Sequence, residues 1–411
     1  MASYIFIVNE KTFPIHLKYM FAGTGKEDGT ENIGMIEDIS GCREGDKVIF
    51  YLTQHDYEEG KFFGSFKIKS KNAFWDKEGI SQELGGKKAL TNRILIDVDE
   101  VYQKGITEWN CLDNLDNLPG GRNGKAKDLI WSLIYRKLSA GRGCTPIFDY
   151  EFSRIMDLIK KVKDNIKLKK AINYDFKDEK IIPLDNEEIK YDCSTITENM
   201  IPLLDPKGNT YSPEEKIVKL KGGDIIFSKK TKKGKIREQW KCESELECFF
   251  NQNACLNDKR VDEILGKKEE LDFFGSQIIS GMGERKIDIL TIGKDKLIKL
   301  IELKDEGGYF ENDFLETHLD QIRNYIKWCI QYIKEPEEKE IQPILVINKR
   351  VLSKKQEKDK KILKLLTEQD LKNIIKFNKE KVDDAKIRPF KIYFWSIEEN
   401  KIKFEKFDYN D

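Results

Sequence analysis

Two apolar runs flank a short polar tip late in the chain. Gly283-Glu284-Arg285-Lys286-Ile287-Asp288-Ile289-Leu290-Thr291-Ile292 leads into Gly293-Lys294-Asp295-Lys296, and Leu297-Ile298-Lys299-Leu300-Ile301-Glu302-Leu303-Lys304 follows. Such a pattern predicts a β-hairpin. Strand period 2 sends Glu302 and Lys304 to one face, and Asp288 lies near the start of the partner strand. Two carboxylates and one lysine therefore converge at one end of the hairpin.

That trio suits metal-dependent hydrolysis of a phosphodiester. Carboxylate oxygens hold Mg²⁺, which keeps several waters and binds substrate phosphate directly. A bound metal lowers the pKa of its water and neutralises charge on phosphoryl oxygens, and a lysine stabilises charge that develops in the transition state. An ordinary surface hairpin would also carry charges in a chain that is 36% charged. The order of the flanking sequence separates the two cases. Ser244-Glu245-Leu246-Glu247 opens a predicted helix upstream, Gln321-Ile322-Arg323-Asn324-Tyr325 lies on a predicted helix downstream, and Ile344-Leu345-Val346-Ile347 supplies another apolar strand.

This series resembles the PD-(D/E)xK nuclease superfamily, in its NucS-type, RecB-like branch, over residues 240–400. The resemblance implies a restriction-endonuclease-like α/β fold with a mixed sheet. It implies that Asp288 and Glu302 ligate Mg²⁺ or Mn²⁺ and that Lys304 orients the water or stabilises the transition state. Glu245 would add a metal or water contact, with Glu247 the alternative if the register slips. Gln321 and Tyr325, four apart on one helix face, would hold the Lys304 side or a phosphate. Gly281-Met282-Gly283-Glu284-Arg285 departs from the pattern by lacking the superfamily's proline.

The length of 411 residues predicts two or three domains. Lysine plus arginine number 73 and aspartate plus glutamate 73, so the net charge is zero and any DNA-binding surface must be local. No apolar run is long enough for a transmembrane helix, and Met1-Ala2-Ser3-Tyr4 starts no signal peptide. The eight cysteines form no C-x-x-C pair. Reduced thiols in a cytoplasmic protein are the simpler expectation.

The first 140 residues predict strands at 3–8, 45–52, 62–68 and 93–98, bounded by Gly and Asp. The order of G-D-K-V-x-F-Y, F-x-G-x-F-x-I, a tryptophan and R-I-x-I is similar to the EVE/PUA-like fold, a β-barrel with helices. Tyr4 stands where such domains often carry tryptophan. The resemblance implies a pocket that accepts a flipped, modified base between aromatic walls. Flipping costs a few kcal/mol, which stacking and edge hydrogen bonds offset. Candidate walls are Tyr51, Phe63, Trp75 and Trp109, and Asn9 could read a base edge. Core packing is the simpler reading of any one of these aromatics, and Trp75, in the polar setting of Asn72-Ala73-Phe74-Trp75-Asp76, is the leading wall.

Further along, residues 128–138 and 151–170 predict helices, and 173–215, broken by prolines, a linker with short strands. Expected boundaries are therefore 1–170 for recognition, 171–239 for an interdomain segment and 240–411 for the nuclease. Basic stretches around Arg122–Arg142, Lys229–Arg237 and Lys354–Lys361 are phosphate-contact candidates or solvated faces. The two resemblances together imply an α+β multidomain, Mg²⁺-dependent endodeoxyribonuclease acting on double-stranded DNA with a modified base, as in restriction of foreign DNA. A structure-specific or mismatch repair nuclease and a non-catalytic binder of modified nucleic acid are the alternatives. Cutting both strands calls for two active sites, which a homodimer could supply.

Overall fold

In a computed structural model, the chain divides into two units, Met1–Pro213 and Glu214–Asp411. Each is α+β with a mixed sheet. The structure describes residues 2–25, 33–54, 58–70, 73–75, 90, 92–114, 143–171, 173–184, 215–219, 225–229, 243–254, 258–280, 285–304, 314–333, 338–348, 368–380, 385–398 and 401–409.

The first unit runs β1 (Ser3–Val8), α1 (Phe13–Tyr19), β2 (Phe21–Thr24), α2 (Ile33–Ser40), β3 (Lys47–Leu52), β4 (Lys61–Ile68), β5 (Phe74–Trp75), β6 (Asn92–Glu100) and β7 (Ile106–Thr107). Then come α3 (Glu108–Asp113), β8 (Cys144–Ile147), α4 (Asp149–Lys160), β9 (Tyr174–Lys177) and β10 (Lys180–Pro183). Its sheet is ordered β2-β6-β4-β3-β1-β8, with β5 on β6 and β7 on β4. β1 and β3 are parallel and the other pairs antiparallel. The described strands make a half-barrel, in keeping with the β-barrel-like domain that the sequence predicts.

Alternation along β1 and β3 explains two cores. Tyr4, Phe6, Val8, Val48, Phe50 and Leu52 face one side, with Phe13 and Leu17 of α1 and with Tyr174 and Ile181. Ile5, Ile49 and Tyr51 face the other, against Phe152, Ile155, Met156 and Ile159 of α4. The β9–β10 hairpin thus packs in the first core, so the boundary expected at 170 falls inside this unit. The helix expected at 151–170 ends at Lys160, and that expected at 128–138 lies outside the described residues.

The second unit contains β11 (Glu215–Lys219), β12 (Ile225–Lys229), α5 (Glu243–Asn253), α6 (Lys259–Leu265), β13 (Leu271–Ile279), β14 (Lys286–Gly293) and β15 (Leu297–Lys304). It continues with α7 (Phe314–Tyr332), β16 (Glu340–Asn348), α8 (Glu368–Asn378), β17 (Lys386–Ile387), β18 (Lys391–Glu398) and β19 (Lys401–Phe407). The sheet is ordered β13-β14-β15-β16-β18-β19, with β17 on β16. β15, β16 and β18 run parallel, and both ends of the sheet are antiparallel.

The β14–β15 hairpin turns where the sequence places its tip. The Lys296 amide donates to the Gly293 carbonyl at 2.9 Å, and Asp295 Oδ1 accepts from the Leu297 amide at 3.1 Å. Leu246, Phe249 and Phe250 of α5 and Val261, Ile264 and Leu265 of α6 cover Ile289, Ile301 and Leu303. Asp258 caps α6 through the Arg260 amide, and Gly266, at φ +102°, ends it. Along α7 the buried Leu319, Ile322, Ile326 and Cys329 recur at helical spacing. Arg323 fixes α7 through two bonds to Glu380, at 2.6 and 2.7 Å.

Candidate functional site

Three neighbouring strands of the second unit place one polar row. Ser276 faces Ile289 and Ile278 faces Ile287, so Gln277 of β13 stands opposite Asp288 of β14. Ile289 faces Ile301, so the next position along the same register sets Asp288 against Glu302 of β15. The regular β14–β15 pairing ends at Ile289, and Asp288 Oδ2 accepts the Leu303 amide at 2.8 Å. The side chain thereby continues the cross-strand bonding.

Asp288 and Glu302 are buried, 8% and 2% exposed. Lys304 Nζ lies 2.7 Å from Glu302 Oε1. Burial raises the Asp288 pKa; the Lys304 charge, the Leu303 amide and hydrogen bonds with Glu302 and Gln277 oppose that rise. Two buried acids with a single lysine form a site where a further positive charge offsets the desolvation of the carboxylates.

Helix α7 closes the row from the other side. Gln321 Nε2 donates to the Tyr325 hydroxyl at 2.6 Å, and that hydroxyl donates to the Lys286 carbonyl at the start of β14. Burial, then the Glu302 charge, pushes the Tyr325 pKa up. The pair expected to hold a phosphate or Lys304 is thus tied to itself and to the strand that carries Asp288. His318, one turn before Gln321, is also buried. Burial and then the Lys304 charge push its pKa down to about 4, against a bond to Gln321. It is a neutral imidazole at neutral pH.

Glu245 lies on α5, but its side chain is outside the described residues. Glu247, on the same helix, is 2% exposed and accepts from Gln277 Nε2 at 3.1 and 2.8 Å. The described residues include no group of three His, Cys, Asp or Glu placed to hold a metal. The two carboxylates of the Asp288–Glu302 pair are the ligand type of a hard divalent cation.

Sequence reasoning missed Gln277 and His318. Helical spacing could have found His318, which is three residues before Gln321 and seven before Tyr325. Gln277 gave only the signal of a long polar side chain within an apolar strand.

The base-pocket candidates of the first unit separate. Tyr51 is buried in the α4-side core against Phe62, and its hydroxyl donates to Glu108 Oε2 at 2.6 Å. Phe63 is fully buried between Phe13 and Phe176. These two rings are core, the plainer of the two sequence expectations. Asn9 Oδ1 accepts the Lys11 and Thr12 amides, making the turn into α1. Trp109 is 53% exposed on α3. Trp75 pairs with Asn92 through its backbone, and its side chain lies outside the described residues. So do the basic stretches 122–142, 230–237 and 354–361.

No protein-family model and no curated protein matches the chain. Among solved structures, the chain is similar to a hypothetical protein from Leishmania major, with 15% identity over 39% of this chain and 96% of that one, at a TM-score of 0.27. It is also similar to human THYN1 in complex with 5-methylcytosine-containing DNA, with 12% identity over 39% and 99% of the two chains, at a TM-score of 0.28. Likeness at this level carries neither fold nor function across. No helix among the described residues is long and apolar enough to cross a membrane.

Proposed function

We propose that the chain is a metal-dependent endodeoxyribonuclease whose first unit selects double-stranded DNA by a modified base, a pairing suited to restriction of foreign DNA. The observation that carries the proposal is the single row of Gln277, Asp288 and Glu302, with Lys304 2.7 Å from Glu302. Asp288 and Glu302 would hold Mg²⁺ or Mn²⁺, which when bound supplies a water of lowered pKa and a counter-charge for phosphate. Lys304 is close enough to stabilise charge on the phosphoryl oxygens. Tyr325, with Gln321, holds the start of β14 and so fixes Asp288. His318, neutral and beside Lys304, leaves the lysine as the cation of the site.

Selection by a modified base rests on the EVE/PUA-like strand order of the first 140 residues. Trp109 is the candidate wall whose described ring is exposed. The THYN1 complex holds 5-methylcytosine DNA, which makes that base the first probe. The test is cleavage of matched duplexes, methylated and plain, beside a branched junction, in Mg²⁺ and in chelator. Metal-dependent cutting that favours the methylated duplex is expected. Preference for the junction overturns base selection in favour of repair. Binding of modified DNA with no cutting of any substrate overturns the nuclease assignment.

A further inference from the structure

Gln277 lies inside β13 yet has φ +51°. A side chain with a Cβ is strained in that left-handed region, and glutamine has none of the local bonding that lets asparagine and aspartate visit it. Strain of this kind persists where surrounding contacts over-determine it, and it marks functional positions.

The contacts are specific. Gln277 Nε2 donates to both carboxylate oxygens of Glu247, at 3.1 and 2.8 Å, and Gln277 stands opposite Asp288 in the strand register, where its side chain helps to hold the Asp288 pKa down. One turn further along α5, the amide nitrogen of Asn251 donates to the hydroxyl of Ser276 at 3.1 Å. Glu247 and Asn251 are four apart, so one face of α5 grips two successive residues of β13. The grip holds the left-handed residue in place, and the left-handed residue sets an amide between two buried acids. A glutamine is the side chain for that task. It carries no charge, reaches both carboxylates, and donates where a third carboxylate would repel.

We propose that Gln277 is a positioning residue of the cation site: its amide fixes the Asp288 carboxylate toward Glu302 and holds Glu247 out of direct coordination. The inference rests on the nuclease reading. Glu247 would then act at one remove, on a water of the cation.

The experiment is calorimetric titration of Mn²⁺ into the full chain without DNA, with thermal melts on the same samples. Asp288→Asn should lose binding at least tenfold. Glu247→Gln should stay within about threefold of wild type. Gln277→Gly, whose backbone suits a positive φ but which leaves the buried Glu247 carboxylate without its donor, should melt below the wild-type temperature and bind Mn²⁺ at least tenfold more weakly. Gln277→Asn tolerates the backbone but is one methylene short, and should not restore affinity. A merely structural glutamine would shift the melt and leave Mn²⁺ affinity unchanged; that outcome overturns the proposal, as does a tenfold loss in Glu247→Gln. Wild-type protein that binds no Mn²⁺, together with no cutting of any duplex, overturns the nuclease reading and this inference with it.

Discussion

At the scale of residues, neighbouring side chains of one strand go to different fates. Tyr51 and Phe50 differ by one position, yet Phe50 packs toward α1 and Tyr51 toward α4. Tyr51→Ala should cost the first unit about 3–5 kcal/mol of stability, as aromatic truncations in a core do, with loss of DNA binding only as folding fails. Trp109→Ala should leave the melt within about 0.5 kcal/mol and weaken binding to modified DNA by about 1–3 kcal/mol. Melts and duplex affinities of the two variants check both statements, and the opposite pattern would make Tyr51 the wall. The difference was not legible in the sequence, because the alternation marks two apolar faces without saying that helices close both. Trp109 follows directly on β7, where the sequence shows only a polar stretch.

Two buried titratable groups of the first unit act against each other. Burial pushes His16 down to about 3, although its Nδ1 lies 3.0 Å from the Phe21 carbonyl oxygen. His16 therefore contributes stability that is present above pH 6.5 and is lost as pH falls toward 3. Burial raises Asp46 to about 6, against bonds from the Ala2 and Arg43 amides. Its contribution is present below the ordinary aspartate value of 3.8 and is lost as pH rises through about 6. Between pH 4 and 6 the two slopes, each about 1.4 kcal/mol per unit, oppose. Melts of Asp46→Asn should therefore fall more steeply than wild type on acidification across that window. Parallel profiles would contradict the pairing.

At the scale of elements, the β14–β15 hairpin was the most legible part of the chain. Its period-2 pattern, turn residues and ends coincide with the sequence expectation. The series of strands and helices after it follows for the same reason, since each apolar stripe must be buried. Two features were not legible. The left-handed Gln277 depends on contacts from α5, thirty residues away in sequence, which no local pattern encodes. The bonding of Tyr325 depends on where α7 lies over the sheet. Spacing gave the shared face of Gln321 and Tyr325 but not their partner, the Lys286 carbonyl. Tyr325→Phe keeps the ring and removes the hydroxyl that joins α7 to β14. It should cost about 1 kcal/mol and slow cleavage by loosening the strand that carries Asp288. Unchanged melts and rates would remove the tie from the account.

At the scale of the molecule, the units divide later than composition suggests. Prolines and polar residues from 173 onward read as a linker, yet Tyr174 and Ile181 are fully buried in the first core. A fragment ending at residue 184 should fold cooperatively and bind DNA without cutting it. A fragment ending at 170 leaves that core open and should melt without a sharp transition. Equal cooperativity of the two fragments would contradict the hairpin's part in the core.

The central claim is that cleavage belongs to the second unit and depends on Asp288 and its partners. The most direct measurement follows one 5-methylcytosine duplex with wild type, Asp288→Ala and Lys304→Ala, reading cleavage in Mg²⁺ and binding on the same samples. Wild type should cut in Mg²⁺ and stop in chelator. Both variants should bind as wild type does and cut at least about a hundredfold more slowly, the loss typical of removing a group that stabilises transition-state charge. Wild-type cutting in chelator, or an Asp288→Ala rate equal to wild type, would contradict the claim.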